Sequence, residues 1–145
     1  MSLDHDIAIY SMPGHLIRRL NQVSVSLFHD ECAKAGHDLT PVQYAALKAV
    51  QKYPGIDQAS LAGAIAYDRT TLGGVVARLE EKGLIMTPAG EALIGELDPL
   101  VGRIQGAMLT GLDEAERVVF LRLLSKAAEA GNDLSRAPLR PYEPK

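Results

Sequence analysis

The sequence predicts a mainly α-helical protein. Three observations carry that prediction. Apolar residues recur at spacings of three and four along successive segments, the pattern of one helix face. Those segments tend to open on capping or first-turn residues and to close on glycines. No stretch alternates apolar and polar residues with period two for long enough to be a strand. At 145 residues, 47% of them hydrophobic, the chain suits one domain of ordinary size, or a small domain with a dimerisation arm.

The first helix is expected from Pro13, whose missing N–H would be unpaired in a first turn anyway. Leu16, Leu20, Val23 and Leu27 form its stripe, Ile17 and Phe28 widen it, and Gly36 stops it. In Leu39-Thr40-Pro41-Val42-Gln43, Thr40 suits the N-cap of a second helix and Gln43 its third position, which makes a capping box. Leu47 and Val50 face inward, and Tyr53-Pro54-Gly55 ends the helix. A short third helix is expected from Gln58 to Ile65, with Asp57 as cap and Leu61, Ala62 and Ile65 as its stripe. After the connection Ala66-Tyr67-Asp68-Arg69, a fourth helix carries Leu72, Val75, Val76 and Leu79 and ends at Glu81-Lys82-Gly83. Thr87-Pro88 starts a fifth, with Leu93, Leu97, Leu100, Val101, Ile104 and Met108 at helical spacing; Pro99 among them predicts a kink. Asp113-Glu114-Ala115-Glu116 is an acidic first turn that complements the helix dipole. It opens a sixth helix bearing Val118, Leu121, Leu124 and Ala128, closed near Gly131-Asn132. The proline-containing segment Arg136–Lys145 cannot be regular helix.

Composition excludes several classes. No apolar run approaches the roughly 18 residues needed to span a membrane. Met1-Ser2-Leu3-Asp4-His5-Asp6 is acidic and lacks the charged-then-apolar pattern of a secretion signal. Cys32 is the single cysteine, so no internal disulfide forms, and the expected setting is the reducing cytoplasm. There is no phosphate loop, no zinc helix and no cysteine pair. The histidines at 5, 15, 29 and 37 lack ligand-like spacing, and no local motif organises a catalytic triad. No catalytic residue, metal or cofactor is expected. The net charge of −3 gives no basic footprint of the kind nucleic-acid binders usually show.

Residues 57–85 nevertheless have the form of a helix-turn-helix, two turns then four, whose second helix would lie in a DNA major groove. Opposite its apolar face, near its N-terminus, stand Arg69, Thr70, Gly73 and Gly74. Unpaired N–H groups at a helix N-terminus attract phosphate. A Thr hydroxyl bonds phosphate or a base edge, and its methyl meets that of thymine. Paired glycines inside a helix cost roughly 1 kcal/mol each relative to Ala, and close approach to another surface is one reason to tolerate them. That surface is either DNA or a neighbouring helix.

The same residues resemble a known family. Leu39-Thr40-Pro41-x-Gln43 is similar to the start of the second helix in the MarR family (multiple antibiotic resistance regulators). Gln58-Ala59-Ser60-Leu61-Ala62 resembles its third helix. Asp68-Arg69-Thr70-Thr71-Leu72 through Arg78-Leu79-Glu80-Glu81-Lys82-Gly83-Leu84-Ile85 resembles its recognition helix and exit. Met86-Thr87-Pro88-Ala89-Gly90 resembles its step into the fifth helix, and the ordered match covers roughly residues 13 to 130. The resemblance implies a winged-helix homodimer on a pseudo-palindromic duplex operator, most often a repressor relieved by a small aromatic acid. It implies dimerisation helices at 13–36 and 88–131, a DNA-binding lobe at 39–87 and an irregular tail at 132–145. Gln58, Ser60, Asp68, Thr70, Thr71, Gly73 and Gly74 become DNA-contacting candidates, with Arg69 and Arg78 positioning phosphates. One departure stands out: the family's β-hairpin wing has no counterpart, because Ile85 is followed directly by Met86-Thr87. Either the chain is wingless, or a wing segment is missing between Ile85 and Thr87. The second reading is favoured because exposed polar wing tips are where disorder concentrates. A wing would add arginines at that seam, and only charge near the recognition helix bears on docking, so −3 weighs little against DNA.

His15 lies three and four residues before Arg18 and Arg19 and shares a face with one or both. An arginine fork holds a carboxylate through two hydrogen bonds. The segment is also similar to family members that respond to aromatic carboxylates. His15, Arg18 and Arg19 are therefore effector candidates, with Tyr44 as an aromatic wall; the alternative is that the arginines make dimer or surface ion pairs. Two other readings remain. Cys32 would sense oxidants only as an exposed, activated thiolate, and a passive buried thiol is the preferred expectation. A helical adaptor module would explain the apolar helices without DNA.

Overall fold

The computed structural model describes residues 7–145; the run Met1–Asp6, with its acidic residues and His5, lies outside the described residues. After a 3-10 turn at Ala8–Ser11 come α1 (Pro13–Lys34), α2 (Pro41–Lys52), α3 (Gln58–Ala64), α4 (Arg69–Glu81), α5 (Pro88–Met108) and α6 (Glu114–Ala130). A second 3-10 turn at Asn132–Leu134 leads into the extended tail. The expected fold class is the one observed, and no strand occurs among the described residues. No helix among them is long and apolar enough to cross a membrane.

The local signals act as their chemistry requires. Thr40 Oγ1 accepts from Gln43 N at 3.2 Å, and Gln43 Oε1 accepts from Thr40 N at 3.1 Å, a complete capping box. Asp113 and Glu116 build a second one at the start of α6. Asp57, Asp68 and Thr87 cap α3, α4 and α5. Gly36 and Gly55 take positive φ after α1 and α2, where a side chain would be strained. Pro99 sits within a helix that runs without a break from Pro88 to Met108, and the residue whose carbonyl its missing N–H would have met is Gly95.

Helices α2, α3 and α4 form a lobe, with α2 touching both of its neighbours and α5; α5 also packs along α1. Phe28 and Cys32 of α1, Leu47 of α2, Leu61 of α3, Leu72 and Leu79 of α4, and Leu97 and Ile104 of α5 meet in one core.

Three local expectations shift. The third helix ends at Ala64, with Ile65 as its C-cap, one residue early. The turn needs Ala66 at φ 54, a conformation that breaks the helical run. Asp68 is the N-cap of α4, so Arg69 is its first helical residue and not part of the connection. The α1 stripe divides: Phe28 is buried and Leu20 and Leu27 half-buried, while Leu16, Ile17 and Val23 are exposed. Helix α6 goes further, with no buried residue at all.

At the seam, Lys82–Thr87 joins α4 directly to α5. Gly83 (φ 68) and Met86 (φ 57) turn the chain, and Met86 is exposed. Gly90 then sits so tightly beneath the turn that a Cβ there would lie 1.9 Å from the Leu84 carbonyl oxygen.

Candidate nucleic-acid interface and effector residues

The outward side of α4 is built from its buried side. Leu72, Val76 and Leu79 fix one face in the core. Helical geometry then turns Thr71, Gly74 and Arg78, at i, i+3 and i+7, together toward solvent. All three are exposed, as are Arg69 and Thr70 at the helix start. No ion pair among the described residues uses Arg69 or Arg78. Nothing lies within 4 Å of a Cβ built at Gly74, and at Gly73 only Gln58 Oε1 does, at 3.7 Å. Close packing against a neighbouring helix is therefore not what the paired glycines serve within this chain. The same contact brings Gln58, at the start of α3, beside Gly73.

The N-terminal end of α4 is already organised. Asp68 Oδ1 accepts from Thr70 N and from Thr70 Oγ1, each at 3.0 Å, and Thr71 Oγ1 donates to Asp68 O at 3.1 Å. Both hydroxyl protons are thus engaged, which leaves the oxygens as acceptors. That suits base amino groups more than phosphate oxygens. The backbone N–H of Thr70, with its hydroxyl second, holds the Asp68 carboxyl below the usual carboxylate range. Asp57 is lowered in the same way, first by the Ser60 hydroxyl and then by the Ser60 N–H. Ser60, half-buried and bonded to Asp57 at 2.6 Å, serves the α3 cap.

The four effector candidates do not gather in one place. His15 and Arg18 are adjacent, 3.4 Å from Nδ1 to Nη2, and Tyr10 lies over the imidazole with centroids 5.8 Å apart. Arg19 lines an open groove along α1 with Leu16, Leu20 and Val23. Tyr44 lines a different groove, with Lys48, Tyr53 and Ile65. The Tyr44 hydroxyl donates to Asp98 of α5, and Lys48 Nζ lies 3.0 Å from the other oxygen of that carboxylate. Burial first, then this bond to Asp98, pushes the Tyr44 phenol up to about 12. Tyr44 and Lys48 stand at i and i+4 on α2, a legible shared face; their partner lies 50 residues from Lys48 and no local signal marks it.

Cys32 is 1% exposed, and burial, with Glu31 beside it, raises its thiol pKa. Lys34 is paired with Glu31 and His37 with Glu96, at 2.9 and 3.0 Å. An activated thiolate needs the opposite environment. No group of three or more metal-ligating side chains occurs among the described residues.

Residues 39–89 match the MarR family, a span that covers the helix-turn-helix, the seam and the start of α5. The solved structure of Bordetella bronchiseptica BpsR, whose DNA binding is regulated by 6-hydroxynicotinic acid, is 30% identical. It superposes with a TM-score of 0.72 over 79% of this chain and 97% of its own. Streptomyces coelicolor PcaV, solved with its natural ligand, is 28% identical, with a TM-score of 0.77 over 90% of this chain and 99% of that one. The transcriptional repressor NicR of Pseudomonas putida is 28% identical over 132 residues, 81% of this chain and 82% of NicR. An adaptor module without DNA contact is set aside by this kinship, and the protein is not an enzyme. The chain belongs to the MarR family of DNA-binding transcriptional regulators.

Proposed function

We propose that the protein is a homodimeric repressor acting in the cytoplasm, which holds a pseudo-palindromic operator and is released by a small aromatic carboxylate. The observation that carries the DNA part is the outward face of α4, where Thr71, Gly74 and Arg78 stand in line with nothing in the chain covering Gly74. Arg69 and Arg78 position phosphates; Thr70, Thr71, Gly73 and Gly74 face bases or backbone; Gln58, Ser60 and Asp68 set the edge of the contact. Dimerisation is supported by exposed apolar residues on the two terminal helices, Leu16, Ile17 and Val23 on α1 and Val118, Leu121 and Leu124 on α6. Burying such a side chain is worth roughly 1.5–3 kcal/mol, and a second copy would cover both faces. Two recognition helices then enter major grooves about 34–36 Å apart.

The effector reading is supported by BpsR, whose regulator is an aromatic ring bearing a carboxylate. Arg18, bonded to His15 Nδ1, and Arg19 next to it in sequence offer the guanidinium groups such an acid needs. Tyr44 lines a separate groove and stands apart from this cluster. To empty the operator the acid must favour the non-binding arrangement by a few kcal/mol, about 5.5 for a complete reversal.

Anisotropy on duplex DNA from upstream of the protein's own gene tests this, first across salt concentrations and then with a panel of aromatic acids that includes 6-hydroxynicotinate. Binding that weakens steeply with salt and is released by an acid is the expected result. Absence of salt-dependent binding overturns the regulator reading. Arg18→Ala and Arg19→Ala should each raise the acid concentration needed for release while sparing operator affinity. If both variants let go at the wild-type concentration, they do not belong to the effector site.

A further inference from the structure

The segment after α6 is pinned to the helix-turn-helix lobe. Asn132 closes the loop: its Nδ2 donates to Leu139 O at 2.9 Å, and Leu139 N donates to its Oδ1 at 2.8 Å. Arg140 N then donates to the Gly63 carbonyl near the end of α3, at 2.7 Å. The Tyr142 ring meets Tyr53, just after α2, edge to face with centroids 5.0 Å apart. Gly63 is required for this seat, because a Cβ there would lie 2.9 Å from Arg140 Cβ and 3.2 Å from its carbonyl oxygen.

The two arginines of the segment differ. Arg140 is paired with Asp133 at 3.1 Å. Arg136 is exposed and makes no ion pair among the described residues. It stands close enough to Asp68 to add to the lowering of that carboxyl, behind the Thr70 bonds. Asp68 caps α4, and Gly63, on which the segment is seated, lies five residues before it near the end of α3. Residues 132–145 carry Arg136, Arg140 and Lys145 against Asp133 and Glu143, in a chain whose net charge is −3.

We propose that this segment is a strap forming a second part of the DNA interface: Arg136 reaches a backbone phosphate beside the recognition helix, and Asn132, Gly63 and Tyr142 hold it there. This rests on the DNA-binding reading above. An arginine has donors for a phosphate while Asp68 keeps its capping bonds. The strap supplies the lobe with positive charge from outside the helix-turn-helix.

The test compares four purified full-length proteins by anisotropy on the operator over a range of salt. Wild type sets the salt slope. Arg136→Ala should lower affinity several-fold at physiological salt and reduce the slope by about one. Arg136→Lys should keep most of the slope. Gly63→Ala removes no charge yet unseats the strap, and should lose affinity as Arg136→Ala does; thermal melting of each variant checks that it folds. An unchanged slope in Arg136→Ala overturns the phosphate contact. A loss in Arg136→Ala with none in Gly63→Ala overturns the strap as the device that places it. If wild type itself shows no salt-dependent binding, the regulator reading fails and the strap fails with it.

Discussion

Individual side chains carry two kinds of work at the α4 face. Arg69 is exposed and makes no ion pair among the described residues, which fits a phosphate contact rather than a structural bridge. Arg69→Ala should lower operator affinity across sequences and reduce the salt slope by about one, while the melting temperature stays put. Asp68 does the opposite work, organising the helix start. Its carboxyl is held low in the folded chain by Thr70, so what it adds to stability is complete above about pH 4 and is lost as pH falls through its lowered folded value. In thermal melts the gap between wild type and Asp68→Ala should be widest near neutrality and should close on acidification below pH ~4. A gap that stayed constant would mean the cap acts through something other than its charge.

Helices and their joints set where those side chains stand. Most helix starts were legible because a cap is local: Thr40 and Gln43, or Asp113 and Glu116, lie three residues apart and need nothing else. The end of α3 was less legible, since it depends on Ala66 adopting positive φ, which an alanine does not advertise. The seam is the tightest joint in the fold. Gly90→Ala should destabilise by about 1–3 kcal/mol or more, read as a lower denaturation midpoint, because the added methyl meets the Leu84 backbone carbonyl and not a flexible side chain. Gly74→Ala, with open space around it, should instead stabilise α4 by roughly 0.5–1 kcal/mol. If that gain came with a loss of operator binding, the glycine would be kept for DNA approach rather than for the fold.

The whole chain divides into a part that buries its own surface and a part that does not. The lobe and the α1–α5 packing share one core, whereas α6 presents Val118, Leu121 and Leu124 outward. On the homodimer reading proposed above, charging that face with Val118→Glu and Leu121→Glu should yield a monomer in analytical ultracentrifugation, and operator affinity should fall with it, because half-sites are read in pairs. A variant that sedimented like wild type would remove α6 from the dimer contact. The global charge of −3 says nothing in favour of DNA, but only charge near the recognition helix bears on docking. The arginines concern one face of one helix and a strap laid beside it.

The sequence by itself determined the helices, their caps, the helix-turn-helix and the family, because periodicity and capping are written within a few residues of where they act. It also placed Arg69, Thr70, Thr71, Gly74 and Arg78 on α4, since the positions of Leu72, Val76 and Leu79 fix the opposite face. Tertiary structure alone decided which apolar stripes were core. Leu16 and Phe28 read alike along the chain, but only Phe28 joins the core that α1 shares with α5, its ring 6.1 Å from that of Tyr44 on α2. It alone decided that Tyr44 answers to Asp98, that Gln58 reaches Gly73, and that Arg140 meets Gly63. Each of those partners is distant in sequence, and no local pattern encodes a meeting that packing brings about.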